Sequence, residues 1–199
     1  MSISAKDVKI LRDRTGAGMM DCKKALMETE GNLEDAIDLM RASGAAKAAK
    51  RAGKIAGEGT IGTYLHFDNR VAAMVELNCE TDFVANTDDF KNLAKDIALH
   101  IASQAPVGVS DKDIAVEVID RERKVYEEQV KEEGKPAHIV DKIVEGKLRK
   151  FFEENTLLAQ PFVKNTEQTI EELVTEVSAK TGEKIEIARF VRMKIGEGE

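Results

Sequence analysis

The most constraining feature of the sequence is a run of alternating residues that ends in an acidic and aromatic connection. Between Val71 and Cys79 every odd position is apolar, which predicts a β-strand with one buried face. The alternation stops at Glu80, and Asp82 and Phe83 follow in a short connection before the next helix. Connections of this kind lie on the surface. The sequence therefore predicts a β-sheet that contains this strand, and the strand leads directly into a surface loop.

Phe83 has two possible positions in this connection. Its ring either packs back under the loop as an outlying part of the core or projects toward a partner. Spacing and composition favour the packed position, since most aromatic residues in loops belong to such outlying clusters. The residues alone leave the projecting position open.

Three short helices are predicted before residue 45. The first starts at the capping-box-like sequence Ser4-Ala-Lys-Asp7 and ends at Thr15-Gly-Ala-Gly18, where two glycines permit a sharp turn. The second runs from about Met19 to Thr29, and the third from Asn32 until Ser43-Gly44 stops it. Such a set forms a small bundle of the ubiquitin-associated type.

Met19 and Met20 stand at the loop between the first two helices. Methionine is common on surfaces that fit a partner's groove, which makes this loop the natural contact surface of the bundle. Burial of at least one of the two methionines remains an alternative.

The two parts of the chain carry charges of opposite sign. Residues 1–54 hold 11 basic and 8 acidic side chains, or +3, and the rest hold 19 and 29, or −10. The contrast predicts a boundary near residue 54, and the acidic larger part argues against a direct nucleic-acid surface. We therefore divide the chain into a three-helix domain at 1–44, a basic linker at 45–58 that begins as helix, and a core domain at 59–199.

The core domain is predicted to contain an antiparallel sheet covered by helices. A β-rich run from Thr60 to Phe67 pairs with the Val71 strand as a hairpin, and a third antiparallel strand lies near the end of the chain. The apolar residues on one side of that last strand are Ile185, Ile187, Val191, Met193 and Ile195. A strongly amphipathic helix between Phe90 and Ile101 should cover the sheet.

Helices also make up the middle of the core domain. Two of them between residues 110 and 154 are predicted to form an antiparallel hairpin with charged outer faces. Gln160–Val163 is expected to be an extended link to a helix near Thr169–Lys180. The fold class is therefore α+β, with a three-helix bundle, a linker, and a three-stranded antiparallel sheet covered by helices.

No enzyme signature is present. The pattern G-x-x-x-x-G-K-[ST] is absent, because Gly53-Lys54 is followed by Ile55, and neither G-x-S-x-G nor H-E-x-x-H occurs. The three histidines and two cysteines have no zinc-ligand spacing, so Cys22, Cys79 and His100 are expected in the core. The sequence predicts a binding protein without a cofactor or metal.

The sequence contains no apolar run long enough to cross a bilayer. The first residues lack the basic start and continuous apolar core of a secretory signal. We therefore expect a cytoplasmic protein with no membrane contact.

Two longer motifs resemble the bacterial translation elongation factor Ts family. They are Leu11–Leu26, which contains Thr-Gly-Ala-Gly-Met-Met, and Asn78–Ala85, which contains Thr-Asp-Phe-Val. The resemblance continues through Gly134–Pro136, Ile143–Lys147, Gln160–Val163 and Arg189–Arg192. It implies a guanine-nucleotide exchange factor for the GTPase elongation factor Tu.

The resemblance also implies which residues contact the GTPase. Those expected to intrude near its magnesium site are Thr81, Asp82, Phe83 and Val84. The further contacts implied in the bundle are Leu11, Arg12, Met19 and Met20. On this interpretation Phe83 projects from the loop.

Long members of the family carry a duplicated core and a coiled-coil insertion, whereas this chain has a single core unit and a short helical pair. A second copy of the chain could supply the missing half, so we expect a homodimer that binds two GTPases.

Two other functions remain open. The first is an adaptor whose ubiquitin-associated-like bundle binds peptides or nascent chains while the core only dimerises, which leaves Phe83 without a special role. The second is an enzyme that uses the acids at Glu80 and Asp82.

Overall fold

The structure is a computed structural model, and it describes residues 3–197. Its helices are α1 (Ala5–Thr15), α2 (Met19–Glu28), α3 (Leu33–Arg51), α4 (Asp82–Ala85), α5 (Asp88–Gln104), α6 (Val116–Glu132), α7 (Ala137–Asn155) and α8 (Ile170–Thr181). Its strands are β1 (Glu58–Leu65), β2 (Val71–Cys79), β3 (Pro161–Phe162), β4 (Asn165–Thr169) and β5 (Glu186–Lys194). The predicted α+β class is confirmed.

The described residues form two compact units. The first unit comprises the residues up to 61 together with 76–94 and 172–186. The second comprises 62–75, 95–171 and 187 onward. The division into domains at 1–44, 45–58 and 59–199 stays a proposal. Within residues 3–197, no helix combines the length and apolar character that a membrane span needs.

Helices α1, α2 and α3 form the predicted bundle around a small core. Its fully buried members are Leu11, Cys22, Ala25, Leu26 and Ala36. The Ser4 hydroxyl accepts a hydrogen bond from the Asp7 backbone N–H and caps α1, and the Asn32 side chain caps α3 in the same way. Cys22 is buried, as expected for a small apolar side chain.

Helix α3 does not stop at Ser43-Gly44, so the predicted end of the third helix is wrong. The helix continues to Arg51 through a segment rich in alanine and lysine, which are strong helix formers. Gly44 is buried inside the helix, where a Cβ atom would lie 3.2 Å from the Cβ of Ala179 in α8. This glycine permits close packing rather than ending a helix.

The main sheet has the strand order β1-β2-β5 and is antiparallel, as predicted. In the central strand β2 the odd residues Ala73, Val75, Leu77 and Cys79 are buried. The hairpin between β1 and β2 closes with a hydrogen bond from the backbone N–H of His66 to the carbonyl of Val71, at 2.9 Å. Asn69 in this turn has φ 57°, a conformation that asparagine tolerates.

Helix α5 lies where the amphipathic pattern put it, and its apolar stripe is buried from Phe90 to Ile101. In the second unit, the Arg192 guanidinium of β5 donates to the Ala102 carbonyl of α5 at 3.1 Å. The even residues of this part of β5 therefore face the helix. The odd residues Val191 and Met193 face the other way.

The opposite side of the sheet in the second unit is apolar and exposed. Opposed residues in an antiparallel ladder share a face, and the backbone bonds His66 to Val71 and Ile195 to Arg70 fix which residues are opposed. The outer sheet face consists of Leu65, Phe67, Met74, Val191, Met193 and Ile195, all of which are exposed. Ile185 and Ile187 at the start of the last strand are buried, whereas Val191, Met193 and Ile195 are exposed, so the apolar residues predicted on one side of this strand do not share one environment.

Helices α6 and α7 form the predicted antiparallel hairpin around Val130, Val144 and Leu148. The Ser110 and Asp113 pair forms a capping box, but it caps a single 3-10 turn, and α6 starts only at Val116. The link predicted at Gln160–Val163 contains β3, which pairs with β4 in a two-stranded ribbon.

His100 is fully buried in the second unit, as expected. Its Nδ1 accepts a hydrogen bond from the backbone N–H of Val163, so the ring proton lies on Nε2, 3.0 Å from the side-chain oxygen of Gln160. Burial lowers the pKa of the imidazole, and the ring is neutral at pH 7.

Candidate partner-binding site

The connection after β2 is one turn of helix rather than an irregular loop. Thr81 is its N-cap: the hydroxyl accepts from the backbone N–H of Val84 at 3.4 Å. Asn86 closes the turn with a backbone bond to Asp82. The turn points Phe83 into solvent, with 82% of its surface exposed. The packed position for Phe83 is therefore wrong, and the ring projects.

The backbone at the start of this turn is held by a carboxylate from the far end of the chain. Glu183, which follows α8, accepts hydrogen bonds from the backbone N–H groups of Glu80 and Thr81 at 3.1 and 3.0 Å. Its other oxygen accepts from the Thr81 hydroxyl at 2.7 Å. Bonds to an ionised acceptor are stronger than neutral ones. The N-cap residue is thereby held at three atoms by one side chain.

A second carboxylate makes the reverse connection. Glu80 accepts from the backbone N–H of Lys184 at 2.7 Å and from the Arg51 guanidinium of α3 at 2.6 Å. The Lys184 N–H, and then Arg51, hold the pKa of the Glu80 carboxyl below its ordinary value. The Glu80 carboxylate is therefore bound by groups of the chain itself.

Cys79 lies directly beside this turn and is buried. Its thiol donates to the Thr81 carbonyl, with 3.1 Å between sulfur and oxygen. Burial raises the pKa of the thiol, and the negative charge of Glu183 adds to the effect. The cysteine is therefore a neutral packing group and not a nucleophile.

In the bundle, the residues implied to contact a partner occupy two different environments. Met19 and Met20 are 60% and 76% exposed, so neither packs inside, and Arg12 is also exposed. Leu11 is fully buried in the bundle core. It can support the helix that presents Arg12, but it has no free surface of its own.

The two motifs line one groove in the first unit. Arg12 and the turn at 16–19 form one side, and Val84, Thr87 and Asp89 lie on the other. The groove has a volume of about 590 Å³. The structure thus brings residues more than 60 positions apart in the chain to a single surface.

Lys180 at the end of α8 lies across the base of this groove. Its ammonium group is 2.8 Å from the Asp89 carboxylate. Its side chain also packs over Gly16, where an added Cβ would lie 3.1 Å from the Lys180 Cε. Gly16 has φ 65°, the left-handed conformation that glycine adopts freely and that ends α1.

The side chains exposed on this surface are mainly apolar, aromatic and charged groups. In the described part of the chain, no group of three or more His, Cys, Asp or Glu side chains is placed to hold a metal ion. The surface has an exposed aromatic ring beside an exposed acid on a braced turn, an exposed methionine, Met19, that lines the groove, and a second exposed methionine, Met20, next to it in the chain. Such features occur at interfaces with protein partners.

Sequence reasoning identified the turn but missed what holds it. Glu183 lies more than 100 positions from Glu80, and nothing in its local sequence distinguishes it from the many other acids of the chain. The one sequence feature that points to this region is Gly182, which has positive φ and marks the end of α8, so that Glu183 is the first side chain after the helix.

Comparison with known proteins assigns the chain to a family. The profile of the family described as Elongation factor TS matches residues 6–197. The protein named Elongation factor Ts from Thermosipho melanesiensis is 52% identical over 195 residues, which cover 98% of this chain and 100% of the relative.

Two further relatives give the same result. Elongation factor Ts from Carboxydothermus hydrogenoformans is 54% identical over 98% of this chain and 90% of the relative. That from Fervidobacterium nodosum is 51% identical over 99% of this chain and 100% of the relative. Since the family profile and relatives of about half-identical sequence span almost all of it, the chain belongs to the elongation factor Ts family.

Proposed function

We propose that the chain is the guanine-nucleotide exchange factor of elongation factor Tu: it binds the GDP-bound GTPase and promotes release of GDP, so that GTP can bind. Similarity to elongation factor Ts proteins over the whole chain supports this function. The structural observation that carries it is the exposed ring of Phe83 on a braced turn.

The Thr81–Val84 turn acts as a wedge at the magnesium site of the GTPase. Mg²⁺ bridges the nucleotide phosphates, so a group that displaces its surroundings weakens nucleotide binding without making or breaking a covalent bond. Phe83 and Asp82 form the exposed part of the wedge, whereas Thr81 and Val84 hold its shape. The chain itself carries out no chemical reaction.

Recognition of the GTPase is shared with the bundle. Arg12 and Met19 line the same groove as Val84 of the turn. Met20 adds a second exposed and flexible apolar side chain next to Met19, and Leu11 supports these residues from the bundle core. By linkage, bound nucleotide weakens binding of the factor by the same ratio as the factor weakens binding of nucleotide. Exchange therefore passes through a short-lived ternary complex.

The exposed apolar residues of the outer sheet face support a homodimer. Monomeric proteins seldom expose a continuous apolar patch of this kind, and a second copy provides a surface of the same character. Two such faces packed together form a β-sandwich with both sheets covered. Each dimer then presents two copies of the turn and binds two GTPases. We place this assembly in the cytoplasm, without direct contact to nucleic acid or membrane.

The function is tested with elongation factor Tu loaded with fluorescent GDP. The chain at catalytic concentration is expected to accelerate the loss of fluorescence after a chase with unlabelled GTP. No acceleration at any concentration would contradict the exchange function and favour the adaptor, whose signature would be peptide binding without an effect on nucleotide release.

A further inference from the structure

The end of α8 contacts both parts of the proposed binding surface. Lys180 packs on the Gly16 turn of the bundle, and three residues later Glu183 holds the backbone of the Phe83 turn. Lys184 then donates its backbone N–H to Glu80. All of these residues belong to the first compact unit. The segment from Lys180 to Lys184 therefore contacts both elements of the proposed binding surface.

The contacts between the two segments are reciprocal. Residue 80 offers its backbone N–H to Glu183 and its carboxylate to the backbone of residue 184. Glu183 is half-buried, as are Glu80 and Thr81, so these charge-assisted bonds are partly shielded from water. Arg51 holds the Glu80 carboxylate from α3.

We propose that Glu183 is a positioning residue for Phe83 in nucleotide exchange, acting through Thr81. The inference rests on the proposed function. Glu183 binds two backbone N–H groups and the hydroxyl of the residue that caps the turn, so it fixes the direction in which the next two residues leave the strand. A wedge works only when it reaches its target as a rigid group, because a mobile ring loses binding energy on being ordered.

Without the Glu183 carboxylate, the backbone N–H groups of Glu80 and Thr81 and the Thr81 hydroxyl lose their hydrogen-bond acceptor. Glu183→Gln keeps the shape of the side chain but replaces one carboxylate oxygen by an amide donor and removes the charge. The donors at Glu80 and Thr81 then lose their charge-assisted bonds. We expect the maximal exchange rate to fall by about tenfold, the effect of losing one hydrogen bond to a charged acceptor.

The test is a double-mutant cycle on the rate of GDP release from elongation factor Tu. The four proteins are wild type, Glu183→Gln, Phe83→Ala and the double variant. Glu186→Gln is the matched control. Glu186 lies three residues after Glu183, and its carboxylate pairs with the Lys184 side chain, so the variant removes the same charge from a nearby position. Glu183→Gln is expected to slow exchange in the wild-type background and to have no further effect when Phe83 is already absent.

A general loss of stability would slow exchange by the same factor in both backgrounds, and that result would overturn the proposal. So would equal rates for wild type and Glu183→Gln in a system where Phe83→Ala is slow, although the exchange function would then stand. Failure of the wild type itself to accelerate release would overturn both.

A second measurement does not depend on exchange. Amide hydrogen exchange of the isolated chain is expected to show faster exchange at Glu80 and Thr81 in Glu183→Gln, with unchanged protection in the bundle core. Unchanged protection at those two amides would contradict the positioning role even if activity were lost.

Discussion

Phe83 is exposed because its neighbours are held by other parts of the chain, and not because its turn is loose. Thr81 caps the turn, Glu183 binds the cap, and Ala85 is buried on the inner side. The sequence predicted the position of the ring between a strand and a helix from periodicity alone. It could not predict the bracing, because hydrogen bonds between residues 80–81 and 183–184 follow no short-range rule.

His100 is a buried residue whose charge state links the stability of the second unit to pH. Its folded pKa lies below the ordinary value of about 6.5, so the unfolded chain binds the proton more readily. The contribution of the neutral ring is complete above that value and is lost as the pH falls through the folded pKa.

We therefore predict a lower urea midpoint at pH 5.5 than at pH 7.5, with a smaller difference in His100→Gln. His138→Gln, which changes an exposed histidine, should keep the full difference. An identical pH dependence for His100→Gln and wild type would contradict this assignment.

Among the secondary-structure elements, those with a regular apolar periodicity could be predicted from the sequence. Those whose ends or pairing depend on tertiary packing could not. β2 and α5 follow alternating and helical apolar patterns, and both lie where those patterns put them. The predicted end of α3 was wrong because a glycine can either end a helix or allow another helix to pack closely, and the sequence around Gly44 does not show which of the two applies. The β3 and β4 ribbon was missed because β3 has only two residues, too few for any period.

Helix α3 provides a prediction at this scale. Gly44→Leu would place a large side chain where even a Cβ lies 3.2 Å from Ala179. The overpacking cost of about 1–3 kcal/mol exceeds the gain in helix propensity of at most about 1 kcal/mol, so the variant should unfold at lower urea concentration. Ala45→Leu, one position away and exposed, should differ from wild type by less than about 0.5 kcal/mol. A Gly44→Leu variant as stable as wild type would show that α3 and α8 do not pack closely.

At the scale of the whole molecule, the outer sheet face is an apolar surface that the described residues of this chain leave exposed. Sequence placed the apolar residues of the last strand on one side, but it could not tell a side covered by this chain from one covered by a second copy. The structure leaves Met193 71% exposed, next to other exposed apolar residues. The proposed homodimer explains that exposure.

We predict that sedimentation equilibrium gives a dimer for the wild type and a shift to monomer for Met193→Glu, since a buried unpaired carboxylate opposes association. Val116→Glu is the control, because it adds the same charge at a residue of α6 that is 66% exposed and lies outside the outer sheet face. Only monomers for the wild type at high concentration would rule out the homodimer.

The central claim is that the projecting ring of Phe83 drives release of GDP from elongation factor Tu. Stopped-flow measurement of fluorescent GDP release with Phe83→Ala tests it most directly, with Ile55→Ala as a control that removes another exposed apolar side chain of the first unit. Phe83→Ala is expected to lower the maximal exchange rate by about tenfold or more, consistent with a loss of about 1.4 kcal/mol or more of interaction free energy, while Ile55→Ala keeps the wild-type rate. Equal rates for all three proteins would contradict the account.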